Sequence, residues 1–167
     1  MVLALFNASL CTMHQVPNFN IVLVEPQIPN NTGNIGRLCV GTNSKLHLIQ
    51  PLGFEITDKR VKRAGLDYWP ELDLLVHKSF DSWLSAVESD ERVFFFSAKG
   101  GKSLYEHEME QGDWLVFGKE ENGLGEAISK RFEEQLLRIP FPGKIRSFNL
   151  ANAVAMVLGE GIRQLAL

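Results

Sequence analysis

Cysteine is scarce in this sequence: Cys11 and Cys39 are the only two among 167 residues. They form neither a disulfide framework nor a CxxC metal signature, which points to a reducing, cytoplasmic compartment. Long apolar runs are missing as well, and none approaches the roughly 20 residues that span a bilayer. The opening MVLALFNASLCTMHQ carries a short apolar patch without a basic leader or a secretory-length core. Residues 1–18 therefore read as a flexible extension with Met13 near the ordinary start, an ordered strand being the competing reading. Positive charge is not in excess. The net charge of −3 means that the whole-molecule field does not advertise nucleic-acid binding. His14, His47, His77 and His107 show no ligand spacing, so no metal is expected. No Gly-x-Gly-x-x-Gly follows the first apolar run, which removes the dinucleotide-binding fingerprint.

What is present is a chain with 45% apolar and 22% charged residues, the balance of a folded globular protein, and a length suited to one α/β domain over residues 19–167. Apolar strand signals fall at 21–24, 46–49, 72–76, 92–97, 114–117 and 136–139. Helical signals fall at 35–42, with Asn31 or Thr32 as N-cap, at 79–88, at 127–135, and at 148–165, with Ser147 or Asn149 as cap. A basic helical turn is expected at 58–64. Continuous apolar strands alternating with helices predict an open, mostly parallel sheet covered by helices on both faces.

In such a sheet ligands bind beyond the carboxyl ends of the strands. Three late strands end in Gly- or Pro-rich loops: Ser97-Ala98-Lys99-Gly100-Gly101, Gly118 to Gly125, and Pro140-Phe141-Pro142-Gly143. Glycine admits close backbone approach and positive φ, although lone glycines after strands also serve as ordinary turn residues. The stretch FGKEENGLGE is the informative one. Gly118 and Gly123 have P-loop spacing, but Leu124-Gly125 stands where Lys-Ser/Thr is required. Glu120 and Glu121 inside the loop disfavour a phosphate ligand. An adenine-bearing ligand with a cationic centre and no phosphate suits the loop better, and S-adenosylmethionine (AdoMet) is such a ligand. A solvated acidic loop is the alternative.

The segments IVLVEPQIPNNTGNIGRLC, DKRVKRAGLDYW, FGKEENGLG and RIPFPGKIRSFNLANAVAMVLGEGIRQL, in this order, resemble the SPOUT superfamily of RNA methyltransferases. Within it they are most similar to the small 2′-O-methyltransferases of the tRNA wobble position. The resemblance runs from about Phe19 to the end of the chain. It implies an α/β fold with a C-terminal trefoil knot, which sequence reasoning unaided would not propose. It also implies a cytoplasmic homodimer, AdoMet as methyl donor, no metal, and the anticodon stem-loop of tRNA as partner. The acceptor would be the ribose of the wobble cytidine or modified uridine in leucine tRNAs.

Carried over by residue, the resemblance assigns the cofactor pocket to Phe96, Gly118, Glu120, Gly123, Ile139 and Ser147. It assigns the catalytic role to Arg37, in Asn34-Ile35-Gly36-Arg37-Leu38, with Asn34 shaping the same site. A guanidinium is almost always protonated, so Arg37 is better suited to orienting the acceptor ribose or its 3′-phosphate than to removing a proton. Lys59, Arg60, Lys62 and Arg63 form the candidate RNA patch, a solvated helix face being the alternative. Glu120 could meet the ligand, the RNA or amides of its own loop. The chain departs from its relatives at Gly159 and Ile162, where bulky aromatics are usual, and at Asn122, where an arginine is common. Gly159 and Gly161 are expected to permit close packing at a dimer interface. Two other readings keep the same motifs: a SPOUT enzyme acting on another tRNA or rRNA position, and a non-catalytic RNA-binding or assembly protein.

Overall fold

The computed structural model describes residues 19–56 and 68–166. The extension at 1–18 and the basic cluster Lys59, Arg60, Lys62 and Arg63 lie outside the described residues. Seven strands, β1 (Asn20–Val24), β2 (Lys45–Ile49), β3 (Leu74–His77), β4 (Val93–Phe96), β5 (Lys102–Ser103), β6 (Trp114–Phe117) and β7 (Leu136–Arg138), form one sheet in the order β3-β2-β1-β6-β4-β7-β5. Every strand pair is parallel.

Side-chain alternation sends the strands' apolar residues into two cores. On one face Ile21, Leu23, Leu46, Leu48, Phe94, Phe96, Leu115 and Phe117 pack against α1 (Pro29–Gly41) and α4 (Leu150–Ala166). On the other, Val22, Val93, Phe95 and Val116 meet Trp83 of α2 (Phe80–Leu84) and the flanks of α3 (Gly125–Arg131). The expected sheet with helices on both faces is what the chain forms, and the strand of three phenylalanines is buried on both sides.

Several boundaries differ from expectation for identifiable reasons. Helix α1 starts at Pro29, whose fixed φ suits the first helical position, so Asn31 lies inside the helix and caps nothing. Helix α2 starts one residue later than expected, capped by Ser79, whose side chain accepts from Ser82 N–H, and ends at Leu84, because Ala86 and Val87 donate to Trp83 and Leu84 in tighter i→i+3 turns. A single 3-10 turn, Trp69–Glu71, takes Leu72 as its cap and delays β3 to Leu74. The two-residue edge strand β5 carries too little pattern to be read in advance.

The two glycines of α4 separate in role. A Cβ on Gly161 would lie 2.5 Å from the Phe19 ring, whereas one on Gly159 would meet nothing within 4 Å. Close packing at Gly161 is therefore made inside this chain.

On the α2 side, His47 is buried in β2, with its Nδ1 3.0 Å from His77 Nε2. Burial, reinforced by the neighbouring His77 and Lys45, holds the His47 imidazole down at about 4. The unfolded chain takes up this proton near the ordinary value of 6.5, so stability is complete above that pH and falls as the pH drops toward 4. The loss expected across the window is on the order of 3 kcal/mol. His47→Leu should flatten this acid limb, as read from urea midpoints at about pH 7.5 and about pH 4.5. An unchanged limb would assign the acid sensitivity to other groups.

Candidate active site

Strands β6, β4 and β7 are immediate neighbours, and Phe117, Phe96 and Leu137 lie in one row across them. The loops that follow these residues therefore emerge side by side at the carboxyl edge of the sheet, where ligands bind in folds of this class. The three candidate loops picked out in the sequence are brought together. Phe96 stacks on Phe117 with centroids 4.8 Å apart and forms part of the core floor beneath them. Ile139 packs half-buried against the same core. Ser97 N–H donates to Leu137 C=O at 2.9 Å, which joins the first loop to the end of β7.

The loop after β6 is a tight turn closed on itself. Lys119 and Gly123 exchange backbone hydrogen bonds of 3.1 and 2.9 Å. Gly123 has φ +63 and Gly125 φ +76, the left-handed region that favours glycine. A Cβ on Gly118 would fall 1.9 Å from the carbonyl carbon of Gly123. The P-loop-like spacing of these two glycines is thus the spacing of two residues that touch across one turn.

Glu120 answers the question its charge raised. Its Oε2 accepts from Gln27 N–H at 2.8 Å, and its Oε1 accepts from Ile28 N–H at 3.1 Å and from the Asn31 side-chain amide at 3.0 Å. Helix α1 has no side-chain cap and no acid in its first turn. Glu120 supplies both from a loop about ninety residues away in sequence, placing an anion at the positive end of the helix. Its charge is directed at α1, so the electrostatic case for a cationic ligand rests on less than the sequence suggested. Next to it, Lys119 Nζ bonds Glu25 Oε2 at 2.8 Å, and Glu25 itself holds φ 50 at the end of β1. Non-glycine residues enter this region rarely, and such strain gathers at functional sites.

The brace continues into the third loop. Asn149 donates from its side-chain amide to Asn31 Oδ1 at 3.1 Å, while its own Oδ1 accepts from Ala151 N–H at 3.0 Å. Asn149 is therefore the cap of α4, and Asn31 is the hinge pin between Glu120 and that cap. Phe141 and Phe148 meet edge to face at 5.0 Å, closing a segment that leaves Lys144, Arg146 and Ser147 exposed. Asn31 and Asn149 were visible in the sequence only as cap candidates. Their link spans 118 positions, which no local pattern reports.

Glu120→Gln keeps the shape but turns an NH2 group toward N–H donors. It should lower stability by about 2 kcal/mol, measured by thermal melts. A wild-type melting temperature would show that the brace is dispensable.

Arg37 is exposed on α1, about 9 Å along the helix from Asn31 at 1.5 Å per residue, with Asn34 exposed one turn before it. Both stand on the helix that Glu120 and Asn149 hold in place; neither lies within the three loops. The loops carry Ser97, Lys99, Lys119 and Phe141 among their glycines and prolines, but Leu124-Gly125 follows Gly123 where a phosphate loop needs Lys-Ser/Thr.

Comparison with known proteins identifies the family. The model of the SpoU rRNA methylase family matches residues 18–159. The chain is 47% identical over 148 residues to the tRNA (cytidine(34)-2'-O)-methyltransferase of Burkholderia pseudomallei, covering 87% of this chain and 95% of that protein. It is 46% identical to the enzyme of the same name from Saccharophagus degradans, covering 88% and 96%. A solved structure described as giving insight into the 2-OH methylation of C/U34 on tRNA superposes with a TM-score of 0.85 at 48% identity, covering 89% of this chain and 96% of that one. The SpoU methyltransferase AviRb of Streptomyces viridochromogenes, in complex with AdoMet, shares the fold with a TM-score of 0.78 at 21% identity, covering 93% and 61%.

Proposed function

This chain belongs to the SpoU rRNA methylase family, and from that membership and the loop geometry we propose that it is an AdoMet-dependent tRNA 2′-O-methyltransferase. Its acceptor is the ribose of nucleotide 34, cytidine or a modified uridine, the position named for its relatives. The observation that carries the reading is the convergence of three strand-end loops at one sheet edge, braced by Glu120 and Asn149 to the helix that bears Arg37.

Phe96, Gly118, Gly123, Ile139 and Ser147 hold the cofactor, with Phe96 and Ile139 walling the adenine and backbone groups making the polar contacts. Glu120 serves as the brace behind them. When bound, AdoMet supplies an electrophilic methyl on a sulfonium. The chain's task is then to align the 2′-hydroxyl with that methyl, since orientation alone is worth several kcal/mol, and to help the hydroxyl lose its proton. Arg37, permanently charged, orients the ribose or its 3′-phosphate, which can itself accept the proton. Lys59, Arg60, Lys62 and Arg63 contact phosphates of the anticodon stem-loop.

We further infer a homodimer working in the cytoplasm, leucine tRNAs as substrates, and residues 19–167 as the functional domain behind a flexible extension at 1–18. No helix among the described residues is long and apolar enough to cross a membrane. A C-terminal trefoil knot is supported by the route of the chain. β7 lies between β4 and β5, so their connection straddles it, and α4 then returns to pack with α1.

Nucleoside mass spectrometry of tRNA from cells lacking the gene tests the reaction. Loss of 2′-O-methylation at nucleotide 34, restored by the gene, is expected; persistence of that mark would overturn the assignment.

A further inference from the structure

Arg37 does not stand alone on α1. Its guanidinium carbon lies 5.0 Å from the centroid of the Tyr68 ring, within cation–π range. Tyr68 is held from below. Its carbonyl accepts from Glu71 N–H at 3.0 Å, opening the turn Trp69–Glu71. That turn presses directly on α1 at Gly36, where an added Cβ would come within 3.1 Å of Leu72 and 3.3 Å of the Trp69 ring. Leu72 in turn packs on the main core. The residue before Arg37 is thus the contact point that fixes the platform beneath Arg37, while Tyr68 as a residue stays 40% exposed.

From this geometry we propose that Tyr68 is a positioning residue for Arg37, holding the guanidinium over its ring. The inference rests on the role of Arg37 given above. The chemistry favours an aromatic partner over an acidic one. A carboxylate engages the N–H edge of a guanidinium, the same edge that a ribose oxygen or phosphate needs. A ring engages the face and leaves the in-plane N–H donors free. A long arginine on an exposed helix face also has many rotamers, and the ring removes part of that freedom before the substrate arrives.

The experiment compares Tyr68→Leu, Tyr68→Met, Tyr68→Phe, Arg37→Ala and the double variant Y68L/R37A in the full-length protein. Methylation of tRNA, AdoMet affinity and thermal melting are measured for each. Tyr68→Leu should reduce kcat about tenfold, equivalent to roughly 1.4 kcal/mol, with AdoMet affinity and melting temperature kept. Tyr68→Met, which fills similar space without a π face, should show the same loss, so a folding defect in one variant does not decide the result. Tyr68→Phe should recover most of the rate. The double variant should be no slower than Arg37→Ala, as expected for residues acting as one unit. Wild-type kcat in both Y68L and Y68M, or effects that multiply in the double variant, would overturn the proposal. Should Arg37→Ala itself keep wild-type turnover, the role assigned to Arg37 fails first, and that outcome is distinct from failure at Tyr68 alone.

Discussion

Arg37→Ala should leave AdoMet binding nearly intact and lower methyl transfer at least about a hundredfold, or roughly 2.7 kcal/mol. The two effects separate because of where Arg37 stands. It is exposed on α1, beyond the turn that Glu120 and Asn149 hold, while the proposed cofactor loops follow β4, β6 and β7. Truncating an exposed helix residue to alanine, the best helix former, does not disturb the fold. In the role proposed for Arg37, what is lost is an oriented cation at the acceptor, an interaction realised as the reaction proceeds, so the loss falls on kcat. Lysine at this position should not restore the rate, since a point charge lacks the planar fork that holds a ribose or phosphate at two points. Isothermal calorimetry with AdoMet and single-turnover methylation of tRNA read the two quantities. Turnover near wild type would remove Arg37 from the mechanism.

Gly118→Ala should abolish measurable AdoMet binding and lower stability by about 3 kcal/mol or more. The added Cβ would sit 1.9 Å from the carbonyl carbon of Gly123 and 2.1 Å from the nitrogen of Leu124. Those are backbone atoms, so no rotamer change relieves the contact. The turn must open, which breaks the Lys119–Gly123 pair of hydrogen bonds and moves Lys119 and Glu120 away from Glu25 and α1. Gly143→Ala is the natural control, because a Cβ there meets nothing within 4 Å and should leave the melting temperature unchanged. If Gly118→Ala melted and bound AdoMet like wild type, the turn would have to possess a second, roomier shape.

How much of this was legible in the sequence varies from one residue to the next. The strand at 114–117 was read to its ends because Trp-Leu-Val-Phe is an unbroken apolar run stopped by glycine. The three loops were found because glycine and proline mark strand ends. Glu120 was found as a motif residue with its partner left open: local sequence shows an acid in a loop, and only the neighbouring β1 brings α1 to meet it. The Gly118 and Gly123 spacing resembled a phosphate loop for a similar reason, since spacing does not say whether two glycines face a ligand or each other. Gly161 was placed at an outer interface and lies against Phe19, because helical periodicity alone does not say which face meets its own core.

By itself the sequence determined the alternation of strands and helices, the parallel sheet, the strand ends at which the proposed site lies, and the motifs that place the chain in its family. These depend on periodicity, turn residues and order along the chain, which are local properties. The strand order decided the rest. It set β6, β4 and β7 side by side, put β1 against β6, and brought Glu120, Asn31 and Asn149 into one hydrogen-bonded brace. Contacts across ninety to 118 positions depend on how the sheet is assembled, and a one-dimensional pattern carries no record of that.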